Sequence, residues 1–294
     1  MKSSVSQRQL WAVMSAMLII DSLHLIFARA LAPLMSPFVS SFYVMVISVL
    51  QLGLYAGIRK KINLSVLKDN LFFFLSVGFC VAAATVCSYT AVFLMDAGTA
   101  SMLGRISTII TLALSYFWLR ERLSQTELVG AVFCIVGAFV ISLQNSDVMR
   151  FGSLYVLASV SFYALHIAIV KRYGDKLEFL NFFLFRLLST ALFLGLFMAI
   201  SQNTGLPPSL LGWLLLVLTA TVDVIISRML YYWALRQMRL GIHTLLLTLT
   251  PVLTILWSTL FFKESPTWQG FIGGVLILFG IFIVGLAQRR SQRR

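Results

Sequence analysis

Charge is scarce in this sequence. Only 11% of its 294 residues are Asp, Glu, Lys or Arg, where a soluble domain carries about a quarter. That shortage leaves no room for a sizeable soluble domain. Cysteine is scarce too: Cys80, Cys87 and Cys134 all fall in apolar stretches, without metal-ligand spacing, and read as small packing residues. No glycine-rich loop runs into Lys-Ser or Lys-Thr, so there is no nucleotide cradle and no sign of ATP-driven transport by this chain alone. Zinc-protease helices and Gly-x-Ser-x-Gly elbows are missing as well. The expectation is therefore a chain that is not an enzyme, with no cofactor and no bound metal.

What is abundant is apolar surface. Hydrophobic residues make up 60% of the chain, and the mean hydropathy is +0.93. Runs near 20 residues long with few charges recur along the whole length, as expected of helices that cross a bilayer. Ten spans are predicted, near 10–31, 37–58, 71–95, 98–119, 125–143, 152–172, 179–200, 210–235, 240–262 and 268–288. The fold class expected is an all-α membrane protein, with the lipid bilayer as its first partner. Lys2 and Arg8 before an apolar run, then Ala28-Arg29-Ala30, resemble a secretory signal. Asp21 and His24 interrupt that run, and the span is expected to stay in the membrane.

The chain repeats itself. Residues 89–143 lie on 232–286 without a gap when shifted by 143 positions. Tyr89 then meets Tyr232, Gly98 meets Gly241, Thr111 meets Thr254, Ser115 meets Ser258 and Glu121 meets Glu264. Gly130 meets Gly273, and Gly137 meets Gly280. A one-residue slip extends the match toward each start, bringing His24 onto His166 and Arg29 onto Lys171. Self-similarity on this scale fixes the architecture. Two five-helix units are expected, over 1–147 and 148–294.

Lys and Arg then orient the chain. With the N-terminus in the cytoplasm, inside segments hold 17 of them and outside segments 3. This is the bias that sets topology, and both termini are expected in the cytoplasm. The net charge of +13 is explained without nucleic acid. Five spans per unit is an odd number, so the second unit enters the membrane in the opposite sense. Inverted repeats place a site near the midplane and let it open to either side.

Ionisable residues within spans are candidates for that site, because they are expensive there. Asp21 and His24 are three apart, on one helix face, and together suit the uptake and release of a proton. An ion pair between Asp21 and a buried arginine is the structural alternative. His166, as the mate of His24, is either a matched gate position or a satisfied helix contact. Asp223 has Ser227 and Arg228 nearby, and is either a functional carboxylate or the structural partner of Arg186 or Arg228. Arg105 has Ser101 and Thr108 on its face, and its repeat mate is Thr248, which leads to Pro251. Its planar fork suits a carboxylate or phosphate; an internal pair with Asp21 or Asp223 is the competing use. Pro251 leaves a carbonyl one turn earlier unbonded and bends its helix. Among the aromatics, Tyr43, Tyr89, Tyr232, Trp233 and Trp257 are placed to touch a solute. The glycines of the fifth and tenth spans read as scaffold or as a homodimer face.

These features together resemble the drug/metabolite transporter superfamily, in its ten-helix EamA type. The resemblance rests on the duplicated five-helix unit, on Thr250-Pro251 and Phe262-Lys263-Glu264 with Gly273 and Gly280, and on Glu121, Gly130 and Gly137 in the first unit. Phe185-Arg186-Leu187 carries the arginine frequent in that family. Departures are Thr108 opposite Pro251 and Tyr43 opposite Arg186. The resemblance implies a membrane transporter. The function expected is alternating-access export or exchange of a small metabolite across the inner membrane. Alternatives are a membrane protein that binds or senses a solute without moving it, and an enzyme acting on a lipid headgroup.

Overall fold

The computed structural model describes residues 7–117, 124–143, 147–174, 177–231, 247 and 249–291. Among these there are helices and connecting turns, and no strand. In chain order the helices are α1 (Gln7–Ser22), α2 (His24–Leu31), α3 (Pro37–Ile58), α4 (Leu64–Asp69), α5 (Leu71–Leu94), α6 (Ala97–Gly104) and α7 (Ser107–Phe117). They are followed by α8 (Gln125–Ser142), α9 (Asp147–Tyr173), α10 (Phe179–Ile200), α11 (Leu210–Thr219), α12 (Thr250–Phe262) and α13 (Trp268–Ser291). After α11 the chain continues as a π-helical segment, Ala220–Ile226.

Among the described residues, seven stretches are long and apolar enough to cross a membrane: 12–31, 37–58, 71–94, 147–173, 179–200, 210–231 and 268–287. The other predicted spans correspond to shorter apolar helices. The fourth is divided into α6 and α7, the fifth is α8, and of the ninth the described part is α12.

Local chemistry explains the boundaries. Ser36 caps α3 by accepting the Val39 N–H, with Pro37 in the first turn. Asp96 caps α6 through the Thr99 N–H at 2.7 Å. Ser124 and Glu127 form a reciprocal capping box on α8. Ser209 caps α11 through the Gly212 N–H. At the far end of α12, Lys263 takes the left-handed conformation (φ 55°) that closes a helix.

Two packing arrangements frame the interior. α5 lies between α9 and α10, where a Cβ on Gly78 would stand 2.7 Å from the Ser189 carbonyl carbon. Only glycine allows that approach. α8 and α13 form the second pair, crossing on glycines. A Cβ on Gly130 would fall 2.6 Å from the Gly280 carbonyl oxygen, and one on Gly137 2.5 Å from that of Gly273. These glycines, read as scaffold or dimer face, are thus in contact within the chain. The contacts are reciprocal: each glycine meets the repeat mate of the other. Reciprocity of this kind is what a two-fold axis between two elements produces. Between the two glycine contacts, the Cys134 thiol donates to the Ile277 carbonyl at 3.4 Å.

Candidate functional site

The ionisable side chains predicted within spans gather at one place. Asp21 sits one residue before the end of α1, with one carboxylate oxygen 4.0 Å from Arg105 Nη2 and the other 3.8 Å from Arg228 Nη1. These distances exceed a hydrogen bond, so the carboxylate attracts both guanidiniums by charge without gripping either. His24 opens α2, and its Nδ1–H donates to Asp223 Oδ2 at 2.8 Å. A structural pair with Arg186 or Arg228 was one of two readings of Asp223; its direct partner is this histidine. Tyr89 is buried, and its ring centroid is 6.4 Å from that of His24.

Each contributing helix is irregular where it meets this centre. α1 and α2 are divided at Leu23, between Asp21 and His24. The division separates the duties of the two residues: Asp21 faces the arginines and His24 faces Asp223. α6 and α7 are divided at residues 105–106, so that Arg105 stands in the gap. The π-helical segment holds Asp223 and ends one residue before Ser227. Single π turns recur at functional sites, and interrupted helices at membrane depth are tolerated where they line a protein interior or a cavity. Placing an arginine at a helix centre costs roughly 3 kcal/mol on insertion scales. Here two of them share one carboxylate, which offsets part of that cost.

Access differs across the centre. Side chains of Asp21, Arg228 and Arg105 are 14%, 18% and 21% exposed, and that of His24 34%. Asp223, Arg186 and His166 are buried. His166 and Arg186 stand apart from the pairs already described. Among the described residues, neither ring nitrogen of His166 makes a hydrogen bond, nor does Arg186 Nε. The Arg186 guanidinium lies 5.7 Å over the Phe183 ring.

The remaining sequence candidates are placed as follows. Tyr43 packs edge-on against Phe42 and Trp213, with ring centroids 5.4 and 5.5 Å away. Pro251 is buried in the first turn of α12, where its missing N–H leaves no bond of that helix unmade. Tyr232, Thr248, Trp233 and Glu121 lie outside the described residues. The Trp257 indole N–H donates to Ser22 Oγ at 2.9 Å.

Nothing in the sequence singles out Ser22, yet it ties three elements together. Its carbonyl accepts the Thr254 hydroxyl at 3.0 Å, and Ser101 in turn donates to Thr254 at 3.3 Å. Arg29 was likewise not a candidate. It forms a salt bridge with Glu264 through Nε (2.7 Å) and Nη2, while Nη1 donates to the Val92 carbonyl at 2.6 Å. Glu264 also accepts the Ser258 hydroxyl at 3.1 Å. One arginine thus fastens the ends of α2, α5 and α12. The repeat marked Arg29 and Glu264 as matched positions; their contact depends on tertiary packing that spacing does not convey. Among the described residues no group of three His, Cys, Asp or Glu is placed to hold a metal.

Comparison with known proteins agrees with this architecture. The EamA-like transporter family profile matches residues 9–143 and again 150–286. The chain is 28% identical over 177 residues to mouse solute carrier family 35 member F5, covering 56% of this chain and 34% of that protein. It is 24% identical over 188 residues to the uncharacterized transporter YetK of Bacillus subtilis, covering 61% of this chain and 57% of the relative. The chain therefore spans between about a third and somewhat over half of these curated relatives. A crystal structure 20% identical in sequence superposes with a TM-score of 0.67, covering 97% of this chain and all of that one. This last likeness shows the fold.

Proposed function

We propose that this chain, which belongs to the EamA-like transporter family, moves a small metabolite across the cell membrane by alternating access, as an exporter or exchanger. The observation that carries the proposal is the convergence of Asp21, His24, Arg105, Asp223 and Arg228 from both halves of the chain, each at or beside a helix irregularity. A purely structural core gains little from such a cluster, because burying ion pairs rarely stabilises more than apolar packing does. A translocation site needs it, because charges that are loosely held can exchange partners with a solute.

The two units, 1–147 and 148–294, are proposed to be inverted repeats with ten crossings in all, both termini facing the cytoplasm. The reciprocal contacts of Gly130 with Gly280 and Gly137 with Gly273 support that relationship. The glycine pairs also set these helices antiparallel, so an axis relating them lies across the helices rather than along them. A homodimer through the remaining outer faces is part of the same proposal, as is a role for the His24–Asp223 pair in carrying a coupled proton.

Flux is the test. The purified protein in liposomes loaded with a mixture of small metabolites should release one class faster than protein-free liposomes. Binding of that class without release would show a sensor instead of a transporter.

A further inference from the structure

Charge inside the membrane does not balance. Of the ten acidic residues in the whole chain, only Asp21 and Asp223 fall within predicted spans away from their ends. Three arginines do so: Arg105, Arg186 and Arg228. With His24 and His166 neutral, the interior carries one surplus positive charge. The structure shows which cation is the surplus one. Arg105 and Arg228 share Asp21, and Asp223 takes His24. Arg186 is 4% exposed, and among the described residues no carboxylate lies within ion-pair distance of it. Its Nε is buried without an acceptor.

His166 adds a second unfilled group. It is 3% exposed, and neither ring nitrogen makes a hydrogen bond among the described residues. The neighbour of its ring is Tyr163, with ring centroids 5.3 Å apart. Buried polar groups are normally satisfied, and each exception asks for a missing partner. A guanidinium can only donate, and an imidazole can donate through one nitrogen. The missing partner must therefore accept hydrogen bonds, and a single negative charge on it removes the surplus.

We propose that Arg186 binds the acidic group of the transported solute, and that this solute is a carboxylate or phosphate compound. The inference rests on the reading of the chain as a solute carrier, and it names the class of solute. Arg105, the arginine that the sequence favoured for this task, is left to hold Asp21. The more exposed centre formed by Asp21, Arg105, Arg228 and His24 is the approach, and Arg186 is the deeper contact.

The experiment is a thermal-shift measurement on the full-length protein in detergent. It compares wild type, Arg186→Met and Arg186→Lys. The probes are inorganic phosphate, pyruvate, glutamate and glycerol 3-phosphate, against glycerol, glucose and putrescine at matched ionic strength. At least one acid should raise the wild-type Tm by about 2–4 °C, since a ligand that binds only the folded state stabilises it. The neutral and cationic probes should not. Arg186→Met should lose that response, and without solute its Tm should equal or exceed that of the wild type, because the substitution removes an uncompensated buried charge. Arg186→Lys should keep a weakened response. A lower Tm of solute-free Arg186→Met would mean that the guanidinium already has an internal partner, and would overturn the proposal. So would an undiminished acid response in Arg186→Met or Arg186→Lys, or the absence of any acid response in the wild type. Because binding is read without flux, a failed transport assay and a failed anion site give different results.

Discussion

The Cys134 thiol lies 3.4 Å from the carbonyl oxygen of Ile277, a residue 143 positions further along the chain. That interval is also the shift that lays one half of the sequence on the other. Cys134 therefore faces its own repeat mate, with Gly130 against Gly280 on one side and Gly137 against Gly273 on the other. A pair of mates in contact marks the point where a two-fold axis between α8 and α13 would pass.

Close approach at this crossing predicts a graded cost. Gly137→Ala should lower the Tm clearly, because its Cβ meets backbone atoms of Gly273 and Ile277 at 2.5 and 2.9 Å. Backbone cannot swing aside, and overpacking of this kind costs roughly 1–3 kcal/mol. Gly205→Ala is the control: nothing lies within 4 Å of the added atom, and its Tm should be unchanged. Equal Tm values for the two variants would remove the crossing as a fixed contact.

Topology can be read by reporter fusions. A reporter joined after Arg150 should report the outside face, and one joined at Arg294 the cytoplasm. The basis is the charge bias between segments and the odd number of spans proposed for each half. A cytoplasmic signal at Arg150 would contradict inversion of the second half, and alternating access through inverted repeats with it.

Much of this was legible in the sequence, and the reasons differ by residue. Seven spans were legible, because hydropathy is a property of short windows. Asp21, His24, Arg105, Asp223 and Arg228 stood out as candidates because each is costly where it stands. Their pairing was not. A three-residue spacing puts Asp21 and His24 on one face of an unbroken helix, and the division at Leu23 gives them different partners. Asp223 turns to His24 from within a π-helical segment, which no spacing rule marks. Ser22, Arg29 and Glu264 are joined by chain separations above two hundred residues, beyond the reach of any local pattern.

The shared carboxylate predicts coupling between distant substitutions. Asp21→Asn should destabilise the protein, because it removes the carboxylate that both guanidiniums face. Adding Arg105→Gln should recover part of the loss. A double-mutant cycle on Tm measures the interaction. Additive effects would show that the 4.0 Å approach contributes nothing to the fold.

Arg29 and Glu264 predict a gate. The salt bridge, reinforced by the Val92 carbonyl and the Ser258 hydroxyl, fastens one end of the helix bundle. Glu264→Gln should weaken it and raise the rate at which a cysteine introduced near Arg105 reacts with a membrane-impermeant thiol reagent added from that side. An unchanged rate would make the bridge a fixed strut and no gate.

The most direct test of the central claim, that solute moves through the centre joined by His24 and Asp223, is flux in proteoliposomes with and without a pH gradient. Wild type should release or take up one class of metabolite from a mixture, followed by mass spectrometry, and should accumulate it uphill when the gradient is imposed. His24→Gln keeps a donor for Asp223 but carries no proton near neutral pH. It should exchange the same metabolite without uphill accumulation. Uphill accumulation by His24→Gln at the wild-type rate, or no wild-type flux above protein-free liposomes, would contradict the account.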